Sequence, residues 1–227
     1  MKPQNKGALV VGGLVKMVVG LALVGALLFL PAGTLAWSGG WRLLAILFVP
    51  ILVLGIVLAI FSPSLLAKRL SARESRSTQS MVVRLSGLVF VAGFVVAGLD
   101  FRWGWSTVSD GVIVTACVLF LLSYILYAEV MRENEWLSRT IEVSDNQQVV
   151  SSGLYGIVRH PMYMATVVMF LSVPLILGSW WSLLVFVGYV PIIVVRTLDE
   201  ERLLRKELGG YEEYCQKVRW RIIPFVW

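Results

Sequence analysis

The stretch "WRLLAILFVPILVLGIVLAIF", Trp41 to Phe61, carries Arg42 as its only charge. A run of this length matches the ~20 apolar residues that cross a bilayer core about 30 Å thick. Inside that core every backbone N–H and C=O must be satisfied within the chain, so a run like this one folds as a helix. The same pattern recurs over residues 7–31, interrupted only by Lys16, and over residues 81–101, 111–131, 161–177 and 180–197. The sequence therefore predicts an all-α integral membrane protein with about six transmembrane helices. The last two, separated by "GSWW" (Gly178 to Trp181), form a tight hairpin, and short helices follow toward the C-terminus. The fifth pass is short: at 1.5 Å per residue, Pro161 to Leu177 reaches only about 25 Å.

Composition supports this reading. The hydrophobic fraction is 58% and the mean hydropathy is +0.80. Only 15% of residues are charged, against about a quarter in soluble domains. A net charge of +6 raises the thought of nucleic acid, but the basic residues sit in short loops and at helix ends. Lys68, Arg69, Arg73 and Arg76 fall between passes two and three. Arg132, Arg139 and Arg159 fall between passes four and five, and Arg202, Arg205, Lys206, Lys217, Arg219 and Arg221 follow pass six. The opposite side has Arg42 and Arg102 alone. The positive-inside rule then places both termini and both basic loops in the cytoplasm.

Two cysteines, Cys117 and Cys215, form no CxxC pair, so neither a metal site nor a disulfide framework is expected. Lys2 and Lys6 ahead of an apolar run mimic a signal peptide, but that run is too long for a signal h-region and suits a spanning helix. No P-loop, no strand-borne GxGxxG and no HExxH pair is present. No internal repeat points to an inverted-repeat transporter. Two parts emerge: residues 1–131 as four transmembrane helices, and residues 132–227, which hold the long polar stretches and any aqueous chemistry.

The chain's single histidine lies in "GLYGIVRHPMYMA", Gly153 to Ala165. Pro161 suits the first turn of the fifth helix, where its missing N–H is not needed. The free amides and dipole of that helix end favour an anion. With Arg159 and His160 just ahead, the end fits a carboxylate or a phosphate. The plainer reading is an interfacial anchor of arginine and tyrosine, and both readings stand at this point.

In "RTLDEERLLRKELGGYEEYCQK", Arg196 to Lys217, a helix leaves the membrane and is expected to cap at Gly209-Gly210. Arg196 and Glu200 share a face, as do Glu201 and Arg205. A salt-bridged, solvated helix is the default for such a run. Glu200, however, lies only four residues past "PIIVVR", at the interface, where ionisable groups have a partner or a ligand. Arg196 is the expected partner. Tyr211, Tyr214, Cys215 and Val218 fall on one face of a further helix that folds back as a lid. "VRWRIIPFVW" (Val218 to Trp227) alternates basic and aromatic residues and is expected at the interface. Glu129, Glu133 and Glu135 are read as marking the membrane exit of the fourth pass.

"VVSSGLYGIVRHPMY" followed by "DEERLLRKELGGYEEYCQKVRWRIIP" resembles the isoprenylcysteine carboxyl methyltransferase and phospholipid methyltransferase superfamily. The likeness covers Val149 to Pro224. It implies a membrane-embedded S-adenosylmethionine-dependent methyltransferase that takes a lipophilic acceptor from the bilayer. By that resemblance Gly153, Tyr155, Arg159, His160, Pro161, Tyr163, Glu200, Glu201, Tyr211 and Tyr214 frame the cofactor. Arg196 and Glu200 act on the acceptor. One departure is Ala165, where the family often has glycine and where a methyl is expected to crowd the cofactor. Sterol reductases, which use NADPH, have a similar hairpin and a similar Tyr-Cys-basic-Ile-Pro ending. A scaffold or small transporter is the non-enzymatic alternative. The acceptor (prenylcysteine-like carboxylate, phospholipid-like amine or another lipid) is not specified by the sequence.

Overall fold

Six apolar runs with no polar periodicity leave the backbone one economical choice, and the computed structural model takes it: among the described residues all regular structure is helical. The structure describes residues 6–61, 63, 66–67, 77–134, 136 and 146–227. Lys2, Lys68, Arg69, Arg73, Arg76, Glu135 and Arg139, named above, lie outside them. The long helices are α1 (Lys6–Ala32), α2 (Ser38–Phe61), α3 (Ser77–Trp103) and α4 (Asp110–Glu133). A 3₁₀ turn at Gly153–Gly156 leads to α5 (Pro161–Leu177), α6 (Trp180–Val187), α7 (Tyr189–Glu207) and α8 (Tyr211–Lys217).

Five segments are long and apolar enough to cross a membrane: Leu9–Ala32, Ser38–Phe61, Ser80–Trp103, Asp110–Glu133 and Trp180–Glu207. The last joins α6 and α7 across Gly188. Helix α5 is apolar but has 17 residues. The final span runs ten residues past Thr197, where the sixth apolar run was expected to end. Hydrogen bonding continues through the charged turns, which an apolar-run criterion does not see. Gly209-Gly210 do not cap it as expected. The helix stops at Glu207, Leu208 is extended, and the left-handed Gly210 (φ 81°) stands at the start of α8.

The turn between α5 and α6 has a local cause. Gly178 adopts φ 80°, which glycine does without a Cβ penalty. Its N–H bonds Leu175 O at 3.1 Å, and Ser179 N–H bonds Pro174 O at 2.9 Å, closing the helix end. Ser179 Oγ then accepts the Ser182 amide at 3.0 Å and caps α6.

Buried Asp100 at the end of α3 fastens this turn. Its carboxylate accepts Ser106 N–H and Ser106 Oγ–H, both at 2.7 Å, and Ser179 Oγ–H. Nearby lies the main apolar core: Leu28 and Phe29 of α1, Leu43 of α2, Phe94 of α3, Phe120 of α4 and Phe186 of α6. All of these lie toward one end of the bundle. The opposite end, where α4 and α7 finish and α5 begins, is left open around polar side chains.

Replacing Asp100 by alanine strands three donors in a dry site, at about 1–3 kcal/mol for each buried group left unsatisfied. A lowered unfolding temperature of D100A in detergent, with ligand binding at the far end preserved once folded, is the expected outcome.

Candidate functional site

At the open end lies a narrow cleft with a cavity volume of about 90 Å³. Its walls come from the start of α5, the charged half of α7, the face of α8 and the segment around Gln147–Val150.

The wall is organised by Glu201. This residue is 4% exposed and sits on α7 facing the α5 entry. Its Oε1 lies 3.0 Å from Arg159 Nε and 3.4 Å from His160 Nε2. Its Oε2 accepts from Arg221 Nε at 3.1 Å and lies 3.8 Å from Arg205 Nη2. The expected Glu201–Arg205 pairing is thus present but is the longest of the four. Arg159 and His160 are themselves buried. Burying one carboxylate among several cations offsets a desolvation cost that none of them could meet singly. Glu201 does not line the cleft.

Glu200, one residue earlier, points the other way and lines the cleft. Its Oε2 accepts a hydrogen bond from Tyr163 Oη–H. Tyr163 Oη in turn accepts from Arg196 Nε at 2.9 Å. The Arg196–Glu200 association expected from their spacing therefore runs through a tyrosine hydroxyl. The Tyr163 ring has two close neighbours. His160 stacks on it with centroids 5.6 Å apart and planes at 21°, and the Arg196 guanidinium lies 5.8 Å from its centroid. The His160 Nδ1 atom is 3.9 Å from Glu200 Oε1, so the ring sits between two carboxylates.

Helix α5 begins as its sequence suggests, with Pro161 at the first position. The amides are less free than a bare helix end would leave them. Tyr163 and Met164 N–H both bond the His160 carbonyl, at 3.0 and 3.2 Å. Ahead of the helix, Arg159 N–H bonds Trp220 O at 2.9 Å and His160 N–H bonds Arg221 O at 2.8 Å. The C-terminal segment, expected only to lie at the interface, thus pairs with the histidine strand through its main chain.

The tyrosines divide by what their hydroxyls do. Tyr214 donates to Tyr155 O at 2.7 Å and pins the 3₁₀ turn to α8. Tyr155 Oη accepts from Asn134 Nδ2 at 2.9 Å. Tyr211 Oη is buried, lines the cleft and has no hydrogen-bond partner. A buried hydroxyl without a partner is costly. Burial pushes the Tyr155 hydroxyl up to about 12, with the Asn134 amide pulling the other way. Burial likewise raises Tyr211 and Tyr214.

Eight of the residues singled out in the sequence meet around the cleft: Tyr155, Arg159, His160, Tyr163, Arg196, Glu200, Tyr211 and Tyr214. Gly153, Pro161 and Glu201 stand behind the wall. Gly153 has φ +54°, and a Cβ there would overlap the Glu133 carboxylate. Glu133, read above as a mere exit marker, accepts the Leu154 amide at 2.9 and 3.1 Å and fixes the turn carrying Tyr155. Glu129 instead pairs on the surface with Arg132. Ala165 is fully buried within α5 and does not line the cleft. Val149 and Val150 also line the cleft, as do Asn134, Trp136, Gln147, Gln148, Met162, Leu204 and Leu208, which were not anticipated. The paired glutamines in a polar linker were the one visible signal.

Two outcomes separate the glutamates. Glu201→Gln removes the negative partner of buried Arg159 and half-buried Arg221 and is expected to cost about 3–5 kcal/mol, read as loss of folded protein. Glu200→Gln keeps a hydrogen-bond acceptor for Tyr163 and is expected to melt like the parent. The Tyr155 contribution to stability should be constant below pH 10 and be lost as pH rises from 10 toward 12. The raised Tyr155 holds its proton in the folded state where the unfolded chain, at 10.0, has begun to release it. A pH series of thermal melts checks this.

Comparison with known proteins was made against this geometry. Residues 109–210 match the family described as phospholipid methyltransferase. The match takes in α4, in which no motif was read. The Delta(14)-sterol reductase TM7SF2 of Mus musculus is 34% identical over 91 residues, which cover 39% of this chain and 22% of that protein. The chain thus spans about a fifth of the length of this relative. Over residues 109–210, a little under half of its length, the chain is similar to the phospholipid methyltransferase family.

Proposed function

We propose that the protein is a membrane-embedded methyltransferase that uses S-adenosylmethionine and acts on a lipophilic acceptor. The observation that carries this reading is the division of labour between neighbouring glutamates. Glu201 is consumed by cations, whereas Glu200 faces the cleft as a positioned carboxylate close to the unpartnered Tyr211 hydroxyl. That donor set fits a ligand with an ammonium, a carboxylate and a nucleoside. Glu200 takes the ammonium. Arg159 and the positive end of α5 face the carboxylate. Tyr211 offers its hydroxyl and ring edge to the nucleoside. Tyr163 is already in contact with His160 and Arg196. Its role is to hold Glu200 and Arg196 in register.

When bound, the cofactor supplies an electrophilic methyl group on sulfur. The chain's own work is then mainly to align the acceptor in line and keep water out, which supplies much of the rate in such a displacement. An acceptor carboxylate needs no base, and Arg196 is placed to orient it. An acceptor amine must be neutral, and Glu200 is the group able to take its proton. Acceptor entry fits the position of the cleft at the mouth of the apolar helices. Both termini and the cleft are proposed to face the cytoplasm, from the lysine and arginine bias.

Calorimetric titration of the detergent-solubilised protein is expected to give saturable S-adenosylmethionine binding. Glu200→Ala and His160→Ala should abolish binding while the circular dichroism stays helical. Incubation with lipid extracts and labelled methyl donor should then move label into an ester or an amine, naming the acceptor.

A second reading is favoured by one observation, the likeness to a sterol reductase. A reductase would use the cleft for NADPH, with Arg159 and Arg196 against phosphate. Glu200 opposes this, since a carboxylate in the wall repels a phosphate. Thermal protection by NADPH in the absence of protection by S-adenosylmethionine would reverse the choice.

A further inference from the structure

The segment 218–227 closes on itself as a hook. The amides of Arg221, Ile222 and Ile223 all donate to Trp227 O, at 2.8, 3.0 and 3.2 Å. Ile222 is buried against Tyr163, Tyr189 and Ile193, and Trp227 packs on the same cluster. Ile193 lies seven residues before Glu200 on α7, about 10 Å on the membrane side of it. The hook therefore dips below the level of the cleft, back toward the bilayer.

Its outer side is apolar and uncovered: Ile223 is 45% exposed, Phe225 85% and Val226 71%. Phe225 also has φ 65°, a conformation that residues other than glycine rarely adopt. A strained backbone that turns a phenylalanine outward gains little from the chain itself at that exposure. Exposed Lys217 and Arg219 flank the hook. Basic residues beside an apolar, aromatic edge at membrane depth match the acyl and headgroup layers of an anionic leaflet. The hook is also tied to the cleft. Trp220 and Arg221 carbonyls hold the Arg159 and His160 amides, and the Arg221 side chain holds Glu201.

We propose that residues 217–227 form a lipid-contact strap: Ile223, Phe225 and Val226 enter the acyl layer, Lys217 and Arg219 engage anionic headgroups, and the main-chain pairing transmits that contact to Arg159 and His160. This holds whichever reaction the cleft performs, so its test does not use activity.

The full chain carrying Phe225→p-benzoylphenylalanine is irradiated in vesicles of phosphatidylcholine alone and of phosphatidylcholine with phosphatidylglycerol. A mass increase of one phospholipid is expected, with phosphatidylglycerol over-represented. The same probe at exposed Glu213 should give no adduct. Lys217→Gln and Arg219→Gln should each lower the phosphatidylglycerol preference about fivefold. Hydrogen exchange of the Arg159 and His160 amides should rise at least severalfold in the Phe225→Ser/Val226→Ser variant, while residues 172–177 stay unchanged. A cross-link to a second copy of the chain, equal lipid capture at Glu213, or no adduct at 225 overturns the strap. An unchanged lipid preference overturns the headgroup contact, and unchanged exchange at 159–160 overturns the coupling. The cross-linking arm stands even if the double variant fails to fold.

Discussion

The buried carboxylate of Glu201 is the constraint on which the site depends. It gathers Arg159 and His160 from the entry of α5, Arg205 from its own helix and Arg221 from the C-terminal segment. No two of these groups are neighbours in sequence except the first pair. A single charge inside a low-dielectric region is strongly unfavourable alone, and each of the cations would be too. Together they become affordable, and the geometry in which they meet is the geometry of the cleft wall. Glu200 can face the ligand space because Glu201 has turned its back on it: adjacent residues on a helix differ by about 100° in direction.

A second layer of restraint sets the tyrosines. Glu133 and Asn134 at the end of α4 hold the 3₁₀ turn from one side, and Tyr214 of α8 holds it from the other. The result is a cleft whose rims come from four separate parts of the chain, fixed by hydrogen bonds to backbone as much as by side-chain pairs. At the far end the Asp100 latch and the aromatic core keep the α5–α6 turn rigid. The bundle is thus packed at one end and polar and open at the other.

The likeness to both methyltransferases and a sterol reductase has a physical side. What the two classes would share is the hairpin, the Arg-His-Pro entry and the basic C-terminal segment, and in this chain those elements mostly build the wall around Glu201. Fewer groups line the cleft itself, among them Glu200, Tyr211, Arg159 and Arg196. A common frame can therefore serve different nucleotide ligands by changing a small number of exposed groups, which is why the reading of function rests on Glu200 rather than on the frame.

The sequence alone determined the class of fold, because runs of apolar residues in a bilayer have no alternative to the helix. It determined the start of α5 at Pro161 and the apolar face of α8, since those signals are local, proline geometry and i to i+4 spacing, and through its motif likeness it pointed to eight of the residues that line the cleft. Tertiary structure alone decided which glutamate faces the ligand, that Tyr163 stands between Arg196 and Glu200, and that Gly153 is there for the Glu133 carboxylate. It also placed the last ten residues beside Arg159 and His160. Each of these depends on the direction of a side chain relative to a distant segment, and direction across space is set by packing between helices, which no spacing within one helix encodes.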